Sequence, residues 1–377
     1  MRHINIPIFI PHAGCPFTCI FCNQRRIAAQ LEALPPAMIP ELVNTHLATI
    51  PPHSEIEIAF FGGSFTMMDM SLQEAYLREV SPYLQKGLVA GLRLSTRPDG
   101  IDANILEMLK KWGVDTIELG VQSFDDQVLA AAGRGTTARQ ATVACRLIKK
   151  YGIKLGIQLM VGLPADTPDK DLDSVQAAIL LKPDMVRIYP TLVIAGTELA
   201  YLWQQGRYQE LTLPDAVAIV AEMRLVFQYA EIPVIRMGLQ PSQELQSAHA
   251  VLAGPYHPAF GELVEQNIFQ RQAFQLLQAA QSEAGLPGSI EILVNKGDIS
   301  KMVGQHRCNL AAIKEVFGIN KINVIPATEI EVDDLALRLD DAINSITLKR
   351  AEFVQGLFDR GLLPDIRGLI ACKPTKT

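Results

Sequence analysis

Cys15, Cys19 and Cys22 fall within eight residues, in the run Cys15-Pro16-Phe17-Thr18-Cys19-Ile20-Phe21-Cys22. Thiolates are soft ligands, suited to zinc and to iron–sulfur clusters. Three of them can hold three irons of a [4Fe-4S] cluster, whereas a cluster held by protein alone normally takes four cysteines. This spacing would therefore leave one iron open to a further ligand. A structural zinc is the simpler alternative, with His12 as fourth ligand, and three unconnected core cysteines are the plainest. Structural zinc sites usually draw their ligands from two separated pairs, and no second pair follows in this chain.

Other residues with chemistry sit at the ends of apolar runs. Phe61-Gly62-Gly63-Ser64-Phe65 has two glycines that let backbone approach a ligand closely, or that simply make a tight strand-to-helix connection. Ser95-Thr96-Arg97-Pro98-Asp99 brings polar side chains to the point where proline stops an element. The carboxamide of Gln122 can bond an adenine or a ribose. Arg134, between Gly133 and Gly135, can pair with a carboxylate or remain a solvated surface charge. Gln158 shares a strand face with Gly156 and Met160 by alternation, within reach of a ribose hydroxyl while apolar neighbours seat a base.

The elements that must position these groups read as parallel β/α units. Strands are expected at Ile4 to Ile10, Glu55 to Phe61, Gly91 to Ser95, Thr116 to Val121, Leu155 to Val161, Met185 to Pro190 and Pro233 to Met237. Helices are expected between them, among others at Ser71 to Leu84, Ala103 to Trp112, Ala138 to Tyr151 and Pro214 to Ala230. In a β/α barrel, functional groups gather where strands end. The cysteine run directly follows the first strand, so it belongs at the mouth.

Composition fits a cytoplasmic enzyme of two domains, or one barrel with an appended module: 377 residues, 49% hydrophobic, 20% charged, with a net charge of -6. That charge argues against a surface coated for nucleic acid, though not against a local basic patch. Cys145, Cys308 and Cys372 are scattered, so no disulfide framework is expected and a reducing compartment is. No apolar run reaches the ~18 residues of a membrane span, and the first residues lack a signal-peptide hydrophobic region.

The CxxxCxxC run, with Phe21 before its last cysteine, closely resembles the motif of radical SAM enzymes. Together with Gly120-Val121-Gln122-Ser123-Phe124, Gly133-Arg134-Gly135-Thr136-Thr137 and Val161-Gly162-Leu163-Pro164-Ala165-Asp166-Thr167, it resembles one branch of that superfamily. The branch holds the Elongator catalytic subunit and oxygen-independent coproporphyrinogen oxidase. Thr96-Arg97-Pro98-Asp99, Arg187 to Ile194, Gly196-Thr197, Leu202-Trp203, Gly206-Arg207-Tyr208 and Arg236-Met237-Gly238-Leu239-Gln240-Pro241-Ser242 are nearer the Elongator pattern, and the resemblance covers roughly residues 1 to 260. It implies a partial (β/α) TIM-type barrel, a [4Fe-4S] cluster on Cys15, Cys19 and Cys22, and S-adenosylmethionine held by Phe21, Gly62, Gly63, Ser64, Gln122, Arg134, Gln158 and Met160. It further implies an electron donor such as flavodoxin or ferredoxin, and reductive cleavage to a 5′-deoxyadenosyl radical. Ser64 stands where the family usually has glutamate or threonine. No acetyltransferase signature follows residue 260, so the full carboxymethylation reaction is not expected; the Elongator-like motifs still imply an RNA base as target, in tRNA first, with a tetrapyrrole or other small molecule as the alternative. An iron–sulfur protein that only binds RNA or senses oxygen or iron is the third reading.

Past residue 260 the composition changes. A glutamine-rich segment, Leu263 to Ala284, leads through Gly285 to Gly288, so 261–288 is expected to be a linker helix. Residues 289–330 then read strand, short helix, turn, helix, strand, which resembles a KH domain, an α/β module that clamps nucleic-acid backbone at a GXXG turn. Here the turn is Gly304-Gln305-His306-Arg307, and with Lys301 it forms the expected RNA contact. Arg307 replaces the second glycine, where its side chain could block the close approach or itself contact phosphate; a small α/β cap that only packs is the alternative. The segment with Glu329, Glu331, Asp333, Asp334, Asp340 and Asp341 is expected to be a solvated acidic helix, and 331–377 a C-terminal helix and tail.

Overall fold

A computed structural model describes residues 2–11, 13–15, 19–23, 33–240, 245, 250–339 and 345–370. His12, the Pro241-Ser242 pair, Asp340, Asp341 and 371–377 lie outside the described residues. The chain divides into two compact units, 1–213 with 232–258, and 214–231 with 259–377.

The first unit is built on β1 (Arg2–Phe9), β2 (Ser54–Phe61), β3 (Gly91–Thr96), β4 (Val114–Gln122), β5 (Lys154–Val161), β6 (Met185–Pro190), a short β7 (Val193–Ile194) and β8 (Val234–Met237). Seven of these form one sheet in the order β1-β2-β3-β4-β5-β6-β8, with every neighbouring pair parallel. β1 and β8 stand at its edges, so the sheet is an open, partial barrel with the seven expected strands. β7 pairs with β9 (Val251–Ala253) in a separate ribbon. Sequential order of parallel strands joined by helical crossovers is β/α winding. One face of the sheet packs in the core and the other lines a cavity. Ile6 and Ile8 are fully buried on one face of β1, while Asn5, Pro7 and Phe9 line a cavity on the other.

The helices start where the sequence signals them. Asp102 accepts a hydrogen bond from the Ile105 amide at 2.9 Å, and Thr137 with Gln140 closes a capping box. Thr167 and Thr197 cap their helices in the same way. Among the described residues no helix is long and apolar enough to cross a membrane.

The second unit carries β10 (Ser289–Val294), β11 (Lys321–Pro326), β12 (Leu335–Leu339) and β13 (Ile346–Leu348), in the order β11-β10-β12-β13. β10 runs parallel to β11 and antiparallel to β12. The expected order of strand, short helix (Ile299–Val303), turn, helix (Cys308–Phe317) and strand is present.

Two expectations here are corrected. The segment after residue 330 is not an acidic helix: the acidic residues to Asp334 form a turn, and Leu335-Ala336-Leu337-Arg338-Leu339 continues as a strand against β10. Its cross-strand partners explain the choice, since Arg338 faces Glu291 in register and its Nε donates to Glu291 at 2.7 Å. A helix follows only at Arg350–Asp359. The stretch from Phe260 to Ala284 is a helix, but not a bare linker. Phe269, Ala273, Leu277 and Ala280 are buried in one core with Ile290 and Ile292.

Candidate active site

The mouth of the barrel is built by two loops locked together. The Ile10 amide donates to Phe61 O at 2.8 Å and the Ser64 amide to Ala13 O at 2.8 Å, tying the cysteine loop to the Gly-Gly turn. Ile20 donates to Ala132 O at 3.2 Å and Leu199 to Ile20 O at 2.8 Å, fixing the stretch between Cys19 and Cys22. Gly63 is required by this packing: a Cβ there would lie 2.4 Å from Ile10 O and 2.7 Å from Ala13 O. Gly14 is held as tightly, with φ +76° and a Cβ position 2.3 Å from Ser64 O. Gly63→Ala is therefore expected to displace the cysteine loop, lowering iron incorporation and costing about 1–3 kcal/mol. Iron content and urea unfolding check it, and normal values in both would contradict the tight packing.

Every expected cluster and cofactor residue of the barrel lines one cavity of about 1240 Å³: Cys15, Cys19, Cys22, Phe21, Gly62, Gly63, Ser64, Gln122, Arg134, Gln158 and Met160. Phe21 and Met160 pack on the same apolar group, Val128, Ala132 and Leu163. That patch suits a flat ring. Gln122 ends β4 in the left-handed region, φ +76°, where the register with β5 shifts.

Cys15 Sγ is 3.2 Å from Ser64 Oγ. Cys19 Sγ has Arg134 Nη1 at 3.4 Å and Arg97 Nη1 at 3.9 Å. Arg134 is thus not a solvated charge: it is 6% exposed, and its Nη2 donates to Gly120 O. Gly120 leaves room for it, since a Cβ there would fall 3.1 Å from the guanidinium. Arg97 grips Asp99 through Nε at 2.9 Å and Nη2 at 3.0 Å, and Nη2 also donates to Arg134 O at 2.7 Å. Burial opposes its charge most, yet Asp99 and the nearby Cys19 and Cys15 outweigh it and raise its pKa. Sequence reading quoted Arg97 only within a motif; its place beside Cys19 needed the fold.

The residues fit a cluster with a polar cofactor. Among the described residues no group of three or more His, Cys, Asp or Glu side chains is placed to hold one ion, and His12, the fourth ligand of the zinc alternative, lies outside them. The three cysteines instead share a roomy cavity, which suits ligands spread over different irons. Asn5 Oδ1, Ser95 Oγ, Gln122 Oε1 and Arg134 Nε are buried on its wall without a hydrogen-bond partner among the described residues. Each such group costs about 1–3 kcal/mol until a polar ligand meets it.

Deeper in the cavity lies an ionic network that sequence reading missed. Arg93 joins Glu57 (2.7 Å) to Glu118 (2.8 Å), and Glu118 also holds Arg187 at 2.6 Å. Gln158 Nε2 donates to Glu118 Oε2 at 3.3 Å, so its carboxamide belongs to this floor. Arg187 lies over the Phe61 ring, 5.4 Å from its centroid. In the loop after β5, Asp166 accepts from the Gly162 amide at 3.1 Å. Burial first, then the charge of Asp166, push the Asp171 carboxyl well above the usual carboxylate range.

Lys301, Gly304, Gln305, His306 and Arg307 belong to the second unit and are not among the residues that line the cavity. Lys301 Nζ sits 2.6 Å from Asp298 and 3.6 Å from Asp333, so its charge is already paired. Gly304 is needed, because a Cβ would lie 2.6 Å from Cys308 Sγ. His306 and Arg307 are exposed and left-handed, with φ 51° and 61°. Gln266 accepts from the Gln305 amide at 3.1 Å and fixes the turn.

Residues 9–178 match the profile of the Radical SAM superfamily, and residues 183–270 that of the Radical_SAM C-terminal domain. The chain belongs to the radical SAM superfamily, whose enzymes use a [4Fe-4S] cluster and S-adenosylmethionine. It is 29% identical over 191 residues to a tRNA uridine(34) acetyltransferase of Methanocaldococcus jannaschii, covering 45% of this chain and 35% of that protein. It is 28% identical over 189 residues to Elongator complex protein 3 of Homo sapiens, covering 45% of this chain and 35% of that one. The chain thus spans about a third of the length of these curated relatives. The solved structure of the archaeal Methanocaldococcus infernus Elp3 with N-terminus deletion (1-46) superposes with TM-score 0.57 at 21% identity, covering 71% of this chain and 62% of that one, and it shares the fold.

Proposed function

We propose that this radical SAM enzyme modifies RNA, with a tRNA base as its target. The observation that carries the reading is the similarity of the barrel to relatives named for tRNA uridine. The cavity supports it. At about 1240 Å³ it exceeds the ~300–1,000 Å³ of ordinary ligand pockets, leaving room for a nucleoside-sized cofactor and a base extruded from its stack.

In this reading Cys15, Cys19 and Cys22 hold the cluster. Gly62, Gly63, Ser64, Gln122, Arg134 and Gln158 hold S-adenosylmethionine, with Phe21 and Met160 against its adenine. Bound together, cluster and cofactor supply a 5′-deoxyadenosyl radical after reductive cleavage, with an electron from a donor such as flavodoxin or ferredoxin. Arg97 and Arg134 offer positive charge and N–H donors beside Cys19. The walls exclude water from the reacting centre. In the second unit the turn from Gly304 to Arg307 holds the RNA backbone as a KH-like module, Arg307 contacting phosphate where a second glycine would stand. The protein works in the cytoplasm.

The test is 5′-deoxyadenosine release by the anaerobically reconstituted protein with dithionite, with and without total tRNA. Release that rises with tRNA is expected. Release indifferent to tRNA would redirect the search to a tetrapyrrole or another small molecule. RNA binding without any release would mark an RNA-binding or sensing protein.

A further inference from the structure

Arg187 and Arg236 are register partners on the adjacent parallel strands β6 and β8, and both line the cavity. Like charges side by side on one sheet face repel unless something neutralises them. Arg187 is neutralised within the chain, its Nε 2.6 Å and its Nη2 2.9 Å from the Glu118 carboxylate. Arg236 is not: the described residues offer its guanidinium no hydrogen bond and no ion pair, and only longer-range charges act on it. Burial above all, with the Arg187 charge adding to it, disfavours the bare cation there. Lys154, the remaining cavity cation on this stretch of sheet, pairs with Asp115 at 3.4 Å.

The neighbouring side chain has the same bias. Tyr189 Oη accepts from Arg187 Nη1 at 3.3 Å, so its own proton is left to give. Burial raises its pKa, so the hydroxyl stays neutral and supplies no counter-charge. Around the floor, the guanidiniums of Arg93, Arg187 and Arg236 thus stand against the carboxylates of Glu57 and Glu118. The Arg236 guanidinium and the Tyr189 hydroxyl proton thus face the cavity with no acceptor bonded to them among the described residues.

We propose that Arg236, assisted by the Tyr189 hydroxyl, is the subsite for an oxyanion carried by the substrate, a phosphate of the entering nucleotide. The planar fork of arginine binds two phosphate oxygens at once, which lysine cannot copy. The inference rests on the cavity being the substrate site of an RNA-modifying enzyme. The same donors would take a carboxylate if the substrate were a small acid.

The test compares uridine 5′-monophosphate, uridine and succinate by calorimetric titration into the reconstituted holoenzyme carrying S-adenosylmethionine. Uridine 5′-monophosphate is expected to bind about tenfold or more tighter than uridine, and Arg236→Gln to erase that difference. Arg236→Lys should restore only part of it. Arg236-dependent binding of succinate but not of the nucleotide would uphold the oxyanion subsite and remove the RNA reading. Equal binding of uridine and its monophosphate with no succinate binding would overturn the proposal. So would a phosphate preference that survives Arg236→Gln, or a loss in Arg236→Gln confined to S-adenosylmethionine affinity. Iron content and far-ultraviolet circular dichroism of both variants verify that the barrel is intact.

Discussion

Alanine in place of Cys15, Cys19 and Cys22 should leave a folded protein that takes up no cluster and releases no 5′-deoxyadenosine. The three side chains line the cavity mouth, and the loop that carries them is fixed by backbone hydrogen bonds rather than by the thiols. The fold therefore survives their loss while the iron sites do not. Reconstituted wild type should carry about four irons per chain and the triple variant almost none. Cys19→Ala alone should come close to the triple variant, because Cys19 is the buried thiol with Arg97 and Arg134 beside it. A triple variant that keeps its iron and its cleavage would return the motif to three ordinary core cysteines.

Removing the charge of Glu118 should be the most damaging single change to stability in the first unit. Its side chain is 1% exposed and lies between Arg93 and Arg187, so Glu118→Leu leaves two guanidiniums in the interior without their shared carboxylate. Breaking a buried pair in this way costs about 3–5 kcal/mol. Adding Arg187→Met should recover part of the loss, because the second change removes one of the stranded charges. Urea unfolding of the three proteins measures it. A Glu118→Leu loss below about 1 kcal/mol would mean that water reaches the network and screens it.

The barrel was legible because its strands read as apolar runs that end at glycine, proline or polar residues. Ile4 to Ile10 and Leu155 to Val161 needed no other signal. The mouth was legible for the same reason, since Cys15, Gly63 and Gln122 sit where such runs stop. The floor was not. Glu57, Arg93 and Glu118 occupy alternate strand positions, and one strand's pattern does not distinguish a charge facing a barrel interior from one facing solvent. Only pairing across β2, β3, β4 and β6 reveals that they neutralise one another. Arg134 reads in sequence as a loop cation, either a cofactor ligand or a solvated charge, and the structure removes the second by burying it against Gly120 O and Cys19. The acidic segment misled because charge density was weighed above the period-2 pattern of Leu335 to Leu339, whose deciding partner, Glu291, is far away in sequence.

The helix Leu213–Tyr229 lies in the chain between two strands of the barrel, yet nearly all of it belongs to the second unit. Arg224 reaches Glu265 at 3.4 Å, and the Tyr229 ring stacks near Phe358 with centroids 4.1 Å apart. During synthesis this helix leaves the ribosome before Glu265 and well before Phe358, so the partners of Arg224 and Tyr229 arrive later. The second unit can be completed only after Phe358 has been made. No single cut of the polypeptide separates the two units, so neither can be inherited, exchanged or lost as one uninterrupted stretch of gene.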